Sequence, residues 1–291
     1  MKYLHSFYHM FFFACVYLLF FSVFRQKRNI MSNEDYCVFL LVNRKRVVFA
    51  SICLLSFLKF VKAPPQIFIL DDGSLSRIDK KILLFIPFVT LYSKLEADAK
   101  MQKYEKKYTD LKNARKNTFN RKITDLLLIK DNFQRILILD SDVVFFSKPK
   151  ELLDFLTGKN RQIKMLYMQD FQEAYFTDLE EIKNAYLSLP VSRLNSGVLA
   201  LSSEVITEKF ITHFFTTYYH KGWAGKIRPL WIEQTAFGLL ATKHPSEKLP
   251  KTYSLGSQSS KKSIVCGHYT SDIDYKWSSK LKYVSDVIFN W

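Results

Sequence analysis

Three short apolar runs, each ending in polar residues, constrain the fold of this chain more than any other feature. Tyr36 to Val42 (YCVFLLV), Gln66 to Leu70 (QIFIL) and Arg135 to Leu139 (RILIL) are almost unbroken apolar stretches, as strands buried on both faces require. Between them lie segments of helical length. Lys45 to Val61 sets Val48, Ile52 and Leu55 on neighbouring turns, Ser76 or Asp79 caps a short helix carrying Leu83 and Leu84, and Pro149 opens a helix through Leu156. Phe88 to Leu91 reads as a third strand, and the spacing predicts a helix over Arg121 to Ile129, just ahead of RILIL. Strands alternating with helices define an α/β chain with a mostly parallel central sheet and helices on both faces. Ligands of such sheets bind beyond the carboxyl ends of the strands. Asn43, Asp71-Asp72 and Asp140-Ser141-Asp142 all fall at such ends.

After Leu156 the alternation weakens. Lys164 to Met168, Gly197 to Leu201 and Ser263 to Cys266 read as strands, Glu204 to His220 and Trp231 to Ala241 as helices. No internal repeat or low-complexity linker divides residues 32–291, so one domain is expected there. Ahead of it, Met10 to Phe24 is an uncharged apolar run of fifteen residues, followed by Arg25, Lys27 and Arg28. That is short of the ~20 residues needed to span a bilayer core. Residues 1–31 are therefore read as an N-terminal hydrophobic helix: a membrane anchor near residues 9–24, a helix packed on the domain, or an extension upstream of a start at Met31. No small-residue cleavage site follows the run. The heavier charge behind it keeps the domain cytoplasmic by the positive-inside tendency.

The formal net charge is +16, which favours anionic partners such as phosphorylated ligands and acidic lipids. Nine Lys or Arg between Asp98 and Lys122 face only three acids, a pattern expected first of a solvated helix face and otherwise of a membrane-surface patch or one wall of a diphosphate site. No zinc-finger spacing or ribonucleoprotein motif accompanies the charge, so nucleic acid is not an expected partner. The four cysteines (Cys15, Cys37, Cys53, Cys266) form no CxxC pair, which speaks against a disulfide framework.

The chemistry concentrates at Asp140-Ser141-Asp142. Two carboxylates at i and i+2 after a hydrophobic strand suit a hard divalent cation that neutralises a diphosphate leaving group. The same LDSDVV string also satisfies the DxDx[TV] pattern of aspartate-nucleophile phosphatases, in which the first Asp is phosphorylated.

The order of further motifs narrows this choice. Ile136 to Phe146, Asn195-Ser196-Gly197, Glu233-Gln234-Thr235 and Cys266-Gly267-His268-Tyr269 resemble, in sequence order, the glycogenin-like and bacterial lipopolysaccharide glycosyltransferases. The Asp71-Asp72-Gly73-Ser74 stretch is similar to the DDGS of GT-A transferases more widely. The resemblance covers roughly Tyr36 to Trp277 and implies a GT-A (nucleotide-diphospho-sugar transferase) fold. A nucleotide-binding half would occupy about 32–156 and an acceptor half about 157–291. It implies a metal site of Asp140, Asp142 and His268, in which an imidazole among carboxylates favours Mn²⁺ over Mg²⁺. It implies nucleotide-sugar contacts from Asn43, Asp71, Asp72, Arg121, Lys122 and Ser141, and catalytic roles for Asn195, Gln234 and Asp170 near the anomeric carbon and acceptor. Transfer of a hexose from a UDP-sugar to a glycan or lipid-linked acceptor is the expected activity.

Two departures bear on the donor sugar and on the stereochemical outcome. Lys276-Trp277 lacks the family's intervening proline and comes late after the histidine, and Thr235 stands where a second aspartate is usual. Besides the phosphatase, the remaining alternative is an inactive, transferase-like, membrane-associated binding protein. Intact Asp140, Asp142 and His268 speak against it.

Overall fold

The computed structural model describes residues 33–224, 231–255, 264–270 and Tyr283. The N-terminal apolar segment and Lys276-Trp277 lie outside them. Among the described residues, no helix is long and apolar enough to cross a membrane.

The apolar runs become strands because each side of them meets its own core. The first half contains β1 (Asn33–Val42), α1 (Val47–Leu58), β2 (Pro65–Asp71), α2 (Arg77–Leu84), β3 (Val89–Tyr92), α3 (Lys94–Lys107) and α4 (Thr109–Ala114). The single-turn α5 (Arg121–Thr124) then leads through 3-10 turns to β4 (Arg135–Leu139), followed by β5 (Val143–Phe145) and α6 (Lys150–Leu156). The second half contains β6 (Met165–Gln169), α7 (Leu179–Tyr186), β7 (Leu194–Ser202), α8 (Glu208–His220), α9 (Ile232–Lys243), β8 (Ser246–Lys248), β9 (Tyr253–Leu255) and β10 (Cys266–His268). A seven-stranded sheet runs β3-β2-β1-β4-β7-β6-β8, and a small second sheet runs β5-β10-β9. In the large sheet only β7 is antiparallel to its neighbours.

Alternation along the strands assigns the two faces. Cys37, Phe39, Ile136 and Ile138 pack with α3, α5, α8 and α9 on one side, whereas Val38, Leu40, Leu137 and Leu139 pack with α1 and α6 on the other. Nearly all of α1 is buried, since Phe57 meets Phe145 of β5 and Phe49 meets Tyr283. Helix α2 starts in a capping box. Ser76 is the cap, and the side chain of Asp79 returns the bond to its backbone, so both residues predicted as caps serve the same turn.

Three expectations are corrected. The helix foreseen over Arg121 to Ile129 is one α-turn followed by 3-10 turns. Side chains around this segment have separate tertiary partners, and those contacts override helical periodicity. Ser263 of the strand foreseen over Ser263 to Cys266 lies outside the described residues, and among the described ones the strand runs over Cys266–His268, where β5 and β9 pair with it. The basic stretch is only partly a solvated face: Lys100, Lys103 and Lys106 are exposed, but Arg115, Arg121 and Lys122 are buried. The three-residue β8 and β9 are too short to carry a periodic signal, whereas α7 is marked in the sequence by its Asp178 cap and by Leu179, Ile182 and Tyr186 on one face.

Candidate active site

The chain runs outward from β1 through β2 to β3, then returns to place β4 on the other side of β1. This reversal is a topological switch point, and the crevice beyond the carboxyl ends of β1 and β4 is the place where such sheets bind ligands. Asn43 and the turn Arg44–Arg46 follow β1, and Asp140-Ser141-Asp142 follows β4. The small sheet delivers the third component. Antiparallel pairing sets His268 opposite Val143, and the backbone N–H of Tyr269 donates to the carbonyl of Asp142 at 3.0 Å.

Asp140, Asp142 and His268 each offer a ligand atom, and these atoms all lie within 4.8 Å of one another. Nε2 of His268 is 3.2 Å from Oδ1 of Asp142 and 3.5 Å from Oδ2 of Asp140. The outer oxygens are held by cations: Lys122 Nζ donates to Asp140 Oδ1 at 2.6 Å, and Arg46 Nη1 to Asp142 Oδ2 at 3.1 Å. Burial opposes charge on Asp142, yet His268 and Arg46 outweigh it and hold this carboxyl below the usual range. Burial likewise opposes the charged form of His268, but Asp142 and Asp140 raise its pKa. The same competition, won by Asp140 and Glu233, raises Lys122.

Asn195 fixes the imidazole. Its Nδ2 donates to Asp170 Oδ2 at 3.0 Å, and its Oδ1 accepts from the N–H of Gly197 at 2.9 Å. A carboxylate only accepts and a backbone N–H only donates, so the amide has one allowed orientation. Nδ1 of His268, 3.0 Å from that Oδ1, must therefore carry a proton. This leaves Nε2 turned to the carboxylates, the outer-shell arrangement usual for ligating histidines. Two carboxylate oxygens and an imidazole nitrogen lying within 4.8 Å of one another, with the ring held from behind, fit a divalent cation.

Behind this cluster lies a polar core. β7 bulges against β6, where the register moves from Tyr167↔Leu199 to Met168↔Asn195, and the bulge re-aims the side chains beside the site. Lys122 Nζ donates to the carbonyl of Ser196 at 2.7 Å, and Ser196 Oγ donates to Glu233 Oε1 at 2.8 Å. Gln234 spans two segments: its Oε1 accepts from the N–H of Ser196 at 3.2 Å, and its Nε2 donates to the carbonyl of Ala174 at 2.8 Å. Burial pushes the Glu233 carboxyl up to about 7 against the pull of Lys122. Thr235 Oγ1 accepts the N–H of Phe176 at 3.1 Å.

The structure thus brings together Asp140, Asp142, His268, Lys122, Asn195, Gln234 and Asp170, with Ser141 buried between the two acids. Asp71 and Asp72 shape the neighbouring loop. Asp71 Oδ1 accepts from the N–H groups of Gly73 and Leu75, and Asp72 Oδ1 from the N–H and hydroxyl of Ser74. Asn43 is exposed in the adjoining loop, which Arg44 ties to Ser74 by a 2.8 Å bond from its N–H. Arg121 turns the other way, donating to Asp98 at 3.0 Å and to Asp125 at 3.1 Å. Arg46, Ser196 and Glu233 complete the cluster without having been singled out in the sequence. Ser196 and Glu233 sit inside the quoted motifs, whereas Arg46 stands outside them in the run Arg44-Lys45-Arg46.

A model of the family described as Glycosyl transferase family 8 matches residues 37–266, most of the chain. Solved structures share the fold. Mouse xyloside xylosyltransferase 1 superposes with a TM-score of 0.56 at 15% identity, over 82% of this chain and 98% of that one. The bifunctional glycosyltransferase WbbM gives 0.54 at 13%, over 83% of this chain and 47% of that one. An active-site mutant of LgtC gives 0.51 at 10%, over 86% and 94%. No curated protein matches the chain in sequence. The fold is that of a GT-A type glycosyltransferase. The chain belongs to glycosyl transferase family 8. The aspartate-nucleophile phosphatase reading falls with that assignment: it needs the triplet on a first strand, and here it ends β4.

Proposed function

We propose that this glycosyltransferase moves a hexose from a UDP-sugar to a glycan or lipid-linked acceptor, with Mn²⁺ held by Asp140, Asp142 and His268. The convergence of two carboxylates and a pre-oriented imidazole at the switch point of the sheet carries this reading. When bound, the cation supplies neutralisation of the diphosphate leaving group. The protein's own part is to orient and to hold charge. Asn195 and Asp170 set the imidazole, and Lys122 presents a buried ammonium beside Asp140. Gln234 fixes the Ser196 backbone against Ala174. Asn43, Asp72 and Ser141 are assigned to the nucleoside and diphosphate, with Asp71 shaping the loop. Arg121 keeps that assignment only through its place in the sequence, because its guanidinium lies on Asp98 and Asp125.

The acceptor is assigned to the half beyond residue 157. A cavity of about 560 Å³ lies there, lined by Glu173, Tyr175, Asp178, Glu180 and Trp231 among others. It is separate from the Asp140 cluster but adjoins the strand of backbone that Gln234 binds. Mixed carboxylate and aromatic lining suits a polyol. A cytoplasmic location, where nucleotide sugars are made, goes with this reading. The test is release of nucleoside diphosphate from a panel of nucleotide sugars, with and without an extract containing acceptors. Faster release from a UDP-hexose when acceptor is present is expected. Tight UDP–Mn²⁺ binding with no turnover for any donor would favour the inactive binding protein instead.

A further inference from the structure

Among the groups that touch the two carboxylates, Arg46 has no place in the motifs of the chain. It lies in the turn after β1, next to Val47 in one core, whereas Lys122 is next to Ile123 in the other. Its guanidinium is largely buried (13% exposed) and bonds Oδ2 of Asp142 at 3.1 Å, and it also lies over the Phe49 ring at 5.5 Å from the centroid. The two acids are handled alike: each gives its outer oxygen to a cation from another element and turns its inner oxygen toward Nε2 of His268.

This arrangement has two consequences. A guanidinium on Oδ2 fixes the rotation of the Asp142 carboxylate and so aims Oδ1 at the cluster. It also places a permanent positive charge, which no accessible pH removes, against the pair of acids meant for a divalent cation. A lone cation arriving there meets carboxylates already partly neutralised by Arg46 and Lys122, and like charges repel. A diphosphate arriving with it restores the balance, since its negative charges meet the cation, the guanidinium and the ammonium together.

We propose that Arg46 is a positioning residue whose charge makes cation binding depend on the diphosphate: the site holds Mn²⁺ weakly alone and firmly together with UDP. The inference rests on the proposed metal site. The step is binding only, with no bond made or broken.

Calorimetric titration tests it on the whole chain, using Mn²⁺ alone, UDP alone and Mn²⁺ with saturating UDP. The wild type is compared with Arg46→Gln, which keeps a donor for Oδ2 without the charge, and with Arg46→Lys, which keeps the charge. In the wild type, UDP is expected to tighten Mn²⁺ by about tenfold or more, the scale of one charge interaction at close range. In Arg46→Gln, Mn²⁺ alone should bind several-fold more tightly and the gain from UDP should shrink. Arg46→Lys should return both values toward wild type. A thermal melt of each variant confirms that the chain is folded. Unchanged Mn²⁺ affinity and unchanged coupling in Arg46→Gln would overturn the role of Arg46 while leaving the metal site standing. No Mn²⁺ binding by the wild type, with or without UDP, would overturn both.

Discussion

At Gly197 an added methyl group would lie 2.2 Å from Cε1 of His268 and 2.9 Å from Oδ1 of Asn195. The imidazole therefore rests directly on the backbone of β7, and the residue is glycine because the ring occupies the space. Gly197→Ala must displace the histidine or the strand. Overpacking of this kind costs about 1–3 kcal/mol, and here it also disperses the metal cluster. Chemical denaturation should show that loss, and Mn²⁺ binding in the presence of UDP should fall together with it. An alanine variant of wild-type stability and affinity would mean that the ring is not seated against this backbone. At this scale the sequence was legible where a motif has a fixed order: Asp140, Asp142, Asn195, Gln234 and His268 are neighbours in space. Arg46 was not, because a cation in a run of cations carries no mark of its partner. The guanidinium of Arg121 lies on Asp98 and Asp125, a pairing that a cation among cations equally leaves unmarked in the sequence.

Between the elements, one buried ion network joins α3, α4 and the segment after α5. Asp125, fully buried, accepts from Arg115 at 2.7 and 3.0 Å and from Arg121 at 3.1 Å. Arg115 also reaches Glu105 and Asp98. Removing the charge from Asp125 leaves two buried guanidinium groups short of a partner, a change that costs about 3 kcal/mol or more. Asp125→Asn should lower the unfolding free energy by that order in urea. Because Lys122 is carried on the same short helix, the variant should also weaken UDP binding. A loss under about 1 kcal/mol, within the range of exposed pairs, would show that the network is not the brace described here. These contacts explain why helical periodicity failed over Arg121 to Ile129. The neighbouring strands, whose apolar runs are long and continuous, were foreseen to within a few residues.

For the molecule as a whole, the alternation of apolar runs and helical segments already implied the layered sheet, and the polar residues at strand ends already marked its binding edge. What the sequence did not announce was the pairing that completes the site. The small sheet β5-β10-β9 carries His268 to Asp142 across a long sequence separation, and short strands of this kind have no periodicity to read. The bulge of β7, which turns Asn195 and Ser196 inward, was equally silent. The proposal that follows is that catalysis depends on a cation held jointly by the strand-end acids and a histidine from the far end of the chain. Its most direct measurement is UDP release from the preferred UDP-sugar as Mn²⁺ is titrated, comparing wild type with Asp142→Ala. The account predicts saturable Mn²⁺ dependence in the wild type, abolished by chelator, and a loss of about a hundredfold or more in the variant at any metal concentration. Equal release by both proteins, or release unaffected by chelator, would contradict it.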